Sequence, residues 1–180
     1  MSELSTVALL EALLFVAQGP APQDEIFSTL GLSEEEGLEA LAALEDRLKD
    51  GGLRLQRLGS RVQLVTCPEA APYVEKFLEL EVDLRLSQAA LEALAIVAYA
   101  QPVTRPQVEA IRGVGSDSVL RTLLSAGLIE DVGRAETVGR PILYATTFEF
   151  LQQFGLESVD DLPPLEPPPE SRVEVEQESG

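Results

Sequence analysis

The side chains best suited to chemistry in this sequence are arginines that lie in its second half. They supply all of the basic charge between residues 86 and 162, and they are Arg105, Arg112, Arg121, Arg134 and Arg140. A guanidinium group can hold a carboxylate or a phosphate with two parallel hydrogen bonds. On a solvated surface the same group often forms only a local ion pair, which contributes little free energy. Two interpretations therefore stay open: contacts to partner carboxylates or phosphates, and simple surface ion pairs.

Residues for catalysis and metal binding are scarce. The chain of 180 residues has no histidine, one cysteine (Cys67) and two lysines (Lys49 and Lys76), and neither lysine follows a glycine-rich loop. The commonest general base, a cysteine-based zinc site and a phosphate-binding P-loop are therefore all missing. We predict no catalytic residues, no metal and no cofactor, and hence a protein that is not an enzyme.

Acidic charge is spread over the whole chain, with 31 acidic against 13 basic side chains and a net charge of −18. Residues 1–80, 81–162 and 163–180 each carry more acidic than basic side chains. Because nonspecific nucleic-acid affinity comes from neutralised phosphates, this balance argues against a dedicated DNA-binding protein. We expect DNA binding to be indirect or weak at most.

An apolar run, VALLEALLFVA at residues 7–17, stands near the start of the chain. It is preceded by Glu3, interrupted by Glu11 and too short to cross a bilayer, so we expect a cytoplasmic protein without membrane contact. A surface helix of a small domain needs only one apolar stripe, and this run is apolar around most of its circumference. A helix buried within its own domain is one interpretation. We favour a dimer interface formed by Leu9, Leu10, Leu13, Leu14, Phe15 and Val16.

Periodicity and turn residues predict an order of elements in the first half of the chain. A capping box at Ser33 and Glu36 opens the third helix. A two-residue turn at Gly59-Ser60 joins two strands and sets Leu55 opposite Leu64. The predicted elements are helices at residues 4–17, 23–30 and 34–49, strands at residues 53–58 and 61–66, and a last helix at about 68–80.

The second half repeats this order. The motif Leu-Glu-Ala-Leu, at residues 10–13, occurs again at residues 91–94. The predicted helix caps are Ser87, Thr104, Ser116 and Thr146. The predicted elements are helices at residues 88–100, 105–112 and 117–126, strands at residues 128–132 and 141–146, and a final helix that ends at Gly155.

Three helices followed by a two-stranded hairpin form the plan of a winged-helix domain, a variant of the helix-turn-helix. We therefore predict a mainly α fold with small β-hairpins, an α+β protein of two tandem winged-helix domains. They span residues 1–80, the dimerisation domain, and 81–162, with a linker at 81–86. Residues 163–180 are rich in proline and acid and cannot offset the entropy of ordering, so we predict a disordered tail that folding does not need.

The third helix of a winged helix is the element that enters the major groove, where bases are read mainly by Arg, Lys, Asn and Gln. In the second domain this helix offers only Arg121. In the first domain it would present several glutamates to the phosphates. A winged-helix DNA-binding transcriptional regulator is therefore the alternative function and not the preferred one.

The second half closely resembles the segregation and condensation protein B family. The most specific matches are the segments AYAQPVTRPQVEAIRGV, GLIEDVGR, GRPILYATTFEFL and FGLESVDDLPPL. The first half is similar to the family more in layout than in motif. The resemblance implies two winged-helix domains, homodimers formed through the first domain, and binding to the kleisin subunit, segregation and condensation protein A (ScpA).

Through the kleisin, the resemblance also implies a link to the SMC ATPase and a role in chromosome condensation and segregation at cell division. A nucleoid-associated location and the absence of catalysis follow from the same resemblance. We expect the second domain to bind a helical segment of the kleisin, with the five arginines as candidate contacts.

Overall fold

The structure is a computed structural model that describes residues 4–17, 19–79 and 86–165. The predicted linker up to residue 85 and the predicted tail from residue 166 lie outside the described residues. The described residues form two groups of helices and strands, each around its own apolar core. We call residues 4–79 the first unit and residues 86–165 the second unit.

The first unit follows the predicted order closely. The bounds predicted for its second helix and for both hairpin strands are confirmed, whereas the predicted last helix begins as a 3-10 turn. In chain order the elements are α1 (Thr6–Val16), β1 (Ala21–Pro22), α2 (Gln23–Leu30), α3 (Glu34–Leu48), β2 (Leu53–Leu58), β3 (Arg61–Thr66), the 3-10 turn (Pro68–Ala70) and α4 (Ala71–Leu78).

Local sequence explains how the helices of the first unit begin and end. The Ser33 hydroxyl accepts a hydrogen bond from the Glu36 N–H at 3.3 Å, and the Ser33 N–H donates to Glu36 Oε2 at 2.8 Å. This pair is the predicted capping box. Gly31 ends α2 with a φ of 68°, a conformation that glycine adopts without steric cost. The core between these helices and the hairpin includes Leu10, Leu14, Leu41, Leu44, Leu55 and Val62.

The second unit repeats the arrangement. Its elements are α5 (Gln88–Ala100), β4 (Val103–Thr104), α6 (Arg105–Arg112), α7 (Asp117–Ser125), β5 (Ile129–Arg134), β6 (Ile142–Thr146), α8 (Phe148–Phe154) and a 3-10 turn (Val159–Asp161). Its core includes Leu94, Val97, Val108, Leu120, Leu123, Ile129 and Leu151.

Each hairpin carries a short third strand that the sequence did not predict. The strand orders are β1-β3-β2 and β4-β6-β5, and all pairings are antiparallel. In the first sheet Leu55 lies opposite Leu64, as predicted. The α+β fold class with small antiparallel sheets is confirmed, and the element order of each unit is consistent with the winged-helix plan.

The second hairpin and the helix after it differ from the prediction in several details, and both strands begin one residue later than predicted, at Ile129 and Ile142. Strand β5 continues to Arg134, two residues past the predicted end, because a bulge after Asp131 lets pairing resume at Gly133. Asp131 Oδ1 accepts the Gly133 N–H at 2.8 Å and holds this bulge. The cap of α8 is Thr147 and not Thr146, because the Thr146 hydroxyl and N–H both donate to Gln101 Oε1.

The structural repeat does not follow the Leu-Glu-Ala-Leu motif. The N-caps of α1 and α5, Ser5 and Ser87, are 82 residues apart, and so are the first residues of α2 and α6, whereas the motif copies are offset by 81. Motif residue Leu10 is fully buried, but its sequence counterpart Leu91 is exposed. The motif match therefore indicated the duplication correctly, but its register within the first helix differs by one residue from that of the structure.

Candidate interaction surfaces

Helix α1 carries an exposed apolar stripe on the side that faces away from the core. The stripe consists of Leu9, Ala12, Phe15 and Val16, with the half-buried Ala8 at its edge, and these residues follow one another at helical spacing. Phe15 is 79% exposed, Val16 69% and Leu9 39%. Large apolar side chains grouped on one exposed face of a helix are typical of a protein contact.

The charged residue of this helix lies beside the stripe and not within it. Glu11 forms an ion pair with Arg47 of α3, which ties α1 to its own unit. The stripe is therefore uncharged along its length, although the chain as a whole carries a net charge of −18.

The burial of α1 corrects the predicted dimer set. Leu10 and Leu14 are buried in the core of the first unit, and Leu13 packs against that core. These three leucines stabilise the unit itself, because side chains that point into a core have little surface to share with a partner. Of the predicted residues, Leu9, Phe15 and Val16 are the ones on the exposed stripe.

Two of the five arginines meet at one carboxylate. Arg105 Nη1 lies 2.9 Å from Asp117 Oδ1, and Arg121 Nη2 lies 2.6 Å from Asp117 Oδ2. The side chains of Arg105 and Arg121 are 49% and 75% exposed. Because solvent screens exposed ion pairs, these two pairs contribute little to stability. Helix α6 begins at Arg105 and α7 at Asp117, which is why residues 12 apart in sequence come together.

Arg112 has a different environment from the other four arginines. Its side chain is only 6% exposed, and it pairs with Glu92 of α5 at 3.5 Å. Nη1 also donates to the hydroxyl of Ser116 at 2.8 Å and to the carbonyl of Gly115 at 3.4 Å. Because its donors are directed at its own unit, Arg112 holds the loop between α6 and α7 and is not placed to contact a partner.

The same loop explains why the predicted cap at Ser116 is wrong in detail. Ser116 precedes α7 but makes no side-chain cap, because its buried hydroxyl is already bound by Arg112 and donates to the Val114 carbonyl. Its N–H donates instead to Glu109 Oε1 at 2.9 Å.

Arg134 and Arg140 lie at the two bases of the wing, the loop between β5 and β6. Arg134 Nη1 donates to the Arg140 carbonyl at 3.2 Å, and the Arg140 N–H donates to the Thr137 carbonyl at 2.9 Å. Both side chains are exposed. The five predicted arginines are thus divided between the α6–α7 rim, the interior and the wing, and do not form one site.

The sequence did not predict the contact between the two units. The backbone N–H of Arg57 in β2 donates to the Glu157 carbonyl at 2.8 Å, and Gln56 Nε2 donates to the Leu156 carbonyl at 2.7 Å. Gln56 is 2% exposed, and the adjacent Leu58 packs against the core of the second unit. The segment after α8 therefore lies against strand β2 of the first unit.

Glu157 is the titratable group at this contact. Burial raises its pKa above the ordinary glutamate value, and the nearby Glu45 carboxylate raises it further, against the opposing effect of Arg54. A carboxyl group with a raised pKa in the folded state stabilises that state below the unfolded pKa. The stabilisation is lost as the pH rises through the folded pKa. At neutral pH, Glu157 is therefore held in its less favourable, ionised form.

We expect Glu157→Gln to raise the melting temperature slightly at pH 7, because glutamine resembles the neutral form that burial favours. The gain should shrink as the pH falls through the raised pKa of Glu157, because the wild-type carboxyl group then becomes protonated. Differential scanning calorimetry of both proteins across this pH range measures the effect. Glu136→Gln, in the wing loop, is the control and should change little. Arg54 Nε lies 3.4 Å from Glu157 Oε1, and a lower melting temperature for Glu157→Gln at pH 7 would show that this ion pair outweighs burial.

No helix among the described residues is long and apolar enough to cross a membrane. The described residues thus form an α+β protein of two helix-and-hairpin units, with an exposed apolar stripe on α1 and arginines at separate places on the second unit.

Comparison with known proteins specifies this class. The family model for segregation and condensation complex subunit ScpB matches residues 8–165. The chain is 47% identical to segregation and condensation protein B of Desulforamulus reducens over 163 residues, which cover 89% of this chain and 90% of the relative. The protein of the same description from Moorella thermoacetica is 48% identical over 161 residues, covering 88% and 82%. The chain therefore belongs to the ScpB family.

Two solved structures are also similar. ScpB from Mycobacterium tuberculosis is 39% identical, with 86% of this chain and 99% of that chain covered and a TM-score of 0.40. A dimer of an ScpB N-terminal domain complexed with ScpA peptide is 32% identical, with 39% of this chain and 91% of that chain covered and a TM-score of 0.38.

Proposed function

We propose that this protein is a non-catalytic accessory subunit of a condensin-like complex and binds the kleisin ScpA as a homodimer. The match of residues 8–165 to the ScpB family carries the proposal. In this role the protein acts in chromosome condensation and segregation during cell division, and it reaches the SMC ATPase through ScpA. It works in the cytoplasm, in association with the nucleoid.

The division of tasks between the domains is part of the proposal. Residues 1–80 form the dimerisation domain, which the uncharged stripe on α1 supports. Residues 81–162 provide a surface for ScpA. The N-terminal domain of an ScpB relative forms a dimer complexed with ScpA peptide, which supports a further ScpA contact on the first unit. ScpA would then contact both units.

The residue types of the chain support a role without catalysis. The sequence has no histidine, and its one cysteine, Cys67, is buried. A nucleophile with a neighbouring base is the minimum for acyl or phosphoryl chemistry through a covalent intermediate. Binding energy is therefore the contribution that we assign to this subunit.

A DNA-binding transcriptional regulator is the alternative, and the side chains of the two third helices argue against it. Helix α3 begins with Glu34, Glu35 and Glu36, which would repel phosphates. On α7 the side chain suited to reading bases is Arg121, and it is paired with Asp117.

The proposal predicts a stable complex when the full-length protein is mixed with ScpA from the same organism. Size-exclusion chromatography with multi-angle light scattering should give a mass that requires two copies of this chain. A parallel titration of fluorescent duplex DNA at moderate salt should show little binding. Failure to bind ScpA would contradict the proposal, and tight duplex binding with a steep salt dependence would favour the regulator.

A further inference from the structure

A groove of about 430 Å³ lies between helices α6 and α7 and the start of β6 in the second unit. Its floor is apolar and includes Leu124, Ile142 and Tyr144, and its rim carries Arg105, Asp117 and Arg121. Leu124 is 37% exposed, so the floor can be reached from solvent. We call this feature the α6–α7 groove.

The charges on the rim are unusual for this chain. Two guanidinium groups share the single Asp117 carboxylate, one on each oxygen. Arg105 Nε also lies 3.9 Å from Glu109 Oε1 on α6, so two carboxylates balance the two arginines and the rim is close to neutral, on a protein whose net charge is −18. Because the ion pairs are exposed, exchanging Asp117 for another carboxylate costs little free energy.

We propose that the α6–α7 groove binds a peptide segment of a partner protein that carries an aspartate or glutamate beside apolar anchors. The anchors cover Leu124 and Ile142, and the carboxylate takes over Arg105 and Arg121 from Asp117. Asp117 then acts as an internal competitor that neutralises the arginines in the free protein. The inference rests on the proposed function, under which the segment belongs to ScpA.

Nucleic acid fits this groove less well than an acidic peptide does. Phosphate groups bring no apolar surface to cover Leu124, Ile142 and Tyr144. An apolar floor beside paired arginines is instead the combination that a helix with an acidic edge complements.

The test is the affinity of full-length protein for full-length ScpA, measured by isothermal titration calorimetry. Leu124→Asp and Arg121→Glu should each weaken binding by about tenfold or more, because each places a negative charge against the partner's carboxylate. Thr122→Asp is the matched control: it adds the same charge on α7 at an exposed position outside the groove, and should leave the affinity unchanged. Thermal melting of each variant checks the fold.

Asp117→Asn separates competition from a merely structural role. Asparagine keeps a short polar side chain at the start of α7 but removes the carboxylate that both arginines share, leaving Arg105 only its 3.9 Å pair with Glu109, so ScpA affinity should increase by about threefold to fivefold. A loss of affinity in this variant would overturn the exchange of carboxylates. If the wild type binds ScpA and both groove variants bind it as tightly as the Thr122→Asp control, the proposal that the α6–α7 groove binds the peptide is contradicted, and the proposed function stands. If the wild type does not bind ScpA, the groove proposal and the proposed function are both contradicted.

Discussion

Replacing Phe15 by glutamate in the full-length chain should convert the proposed homodimer into a monomer with an unchanged fold. Phe15 is exposed at the end of the α1 stripe, so the substitution removes nothing from the core. Burying a phenylalanine contributes about 1.5–3 kcal/mol, and a symmetric dimer buries the same residue twice. The dissociation constant of the dimer should therefore rise by about two to four orders of magnitude. The desolvation of two glutamates adds to this effect.

Light scattering over a range of protein concentrations measures the dimer constant. Two controls locate the interface. Phe77→Glu changes an equally exposed phenylalanine on α4 of the same unit, and Val138→Glu adds the charge at the wing of the second unit. Both should remain dimeric. A monomeric Phe77→Glu protein together with a dimeric Phe15→Glu protein would move the interface from α1 to α4.

Elements governed by local rules were predictable from the sequence. The capping box at Ser33 and the left-handed glycine at Gly31 set the ends of neighbouring helices, and each involves residues within three or four positions. The turn at Gly59 and Ser60 likewise determined the register of the first hairpin. Such signals need no information about the rest of the fold.

Short strands and the repeat register were not predictable by the same means. Strands β1 and β4 are two residues long, which is too short to show any alternation. They form because the chain after the first helix of each unit passes alongside the hairpin and pairs with its inner strand. The Leu-Glu-Ala-Leu motif gave the wrong register within the first helix for a related reason. Both helices are so apolar that the same residue types occur on their buried and on their exposed faces.

Buried polar residues mark the limit of sequence analysis in the candidate sites. Gln56 is a polar residue next to Leu55 in β2, and nothing in the sequence marks it as buried, yet the second unit covers it. In the sequence Arg112 looks like the other arginines, whereas in the structure Glu92 and Ser116 lie beside it and bind its guanidinium group. In both cases, burial depends on an element that is distant in sequence or on a loop conformation that no spacing rule encodes.

Arg112→Ala should therefore destabilise the protein and should not act directly on ScpA binding. The substitution removes an ion pair and charge-assisted hydrogen bonds from a side chain that is almost fully buried. It also removes a partner from the buried hydroxyl of Ser116. Such losses cost about 2–3 kcal/mol together, since part of the network is still exposed at Glu92. For a chain of this size the melting temperature should fall by about 5–10 °C.

The comparison that decides the role of Arg112 uses melting temperature and ScpA affinity side by side. Arg140→Ala, at an exposed position in the wing, should change the melting temperature little. Arg112→Lys keeps the charge but loses the planar fork, so its melting temperature should lie between those of the wild type and the alanine variant. At a temperature well below its unfolding transition, the Arg112→Ala variant should still bind ScpA with wild-type affinity, because in the wild type the Arg112 guanidinium group points into the α6–α7 loop. Weaker binding at an unchanged melting temperature would instead make Arg112 a partner contact that becomes available only when this loop opens.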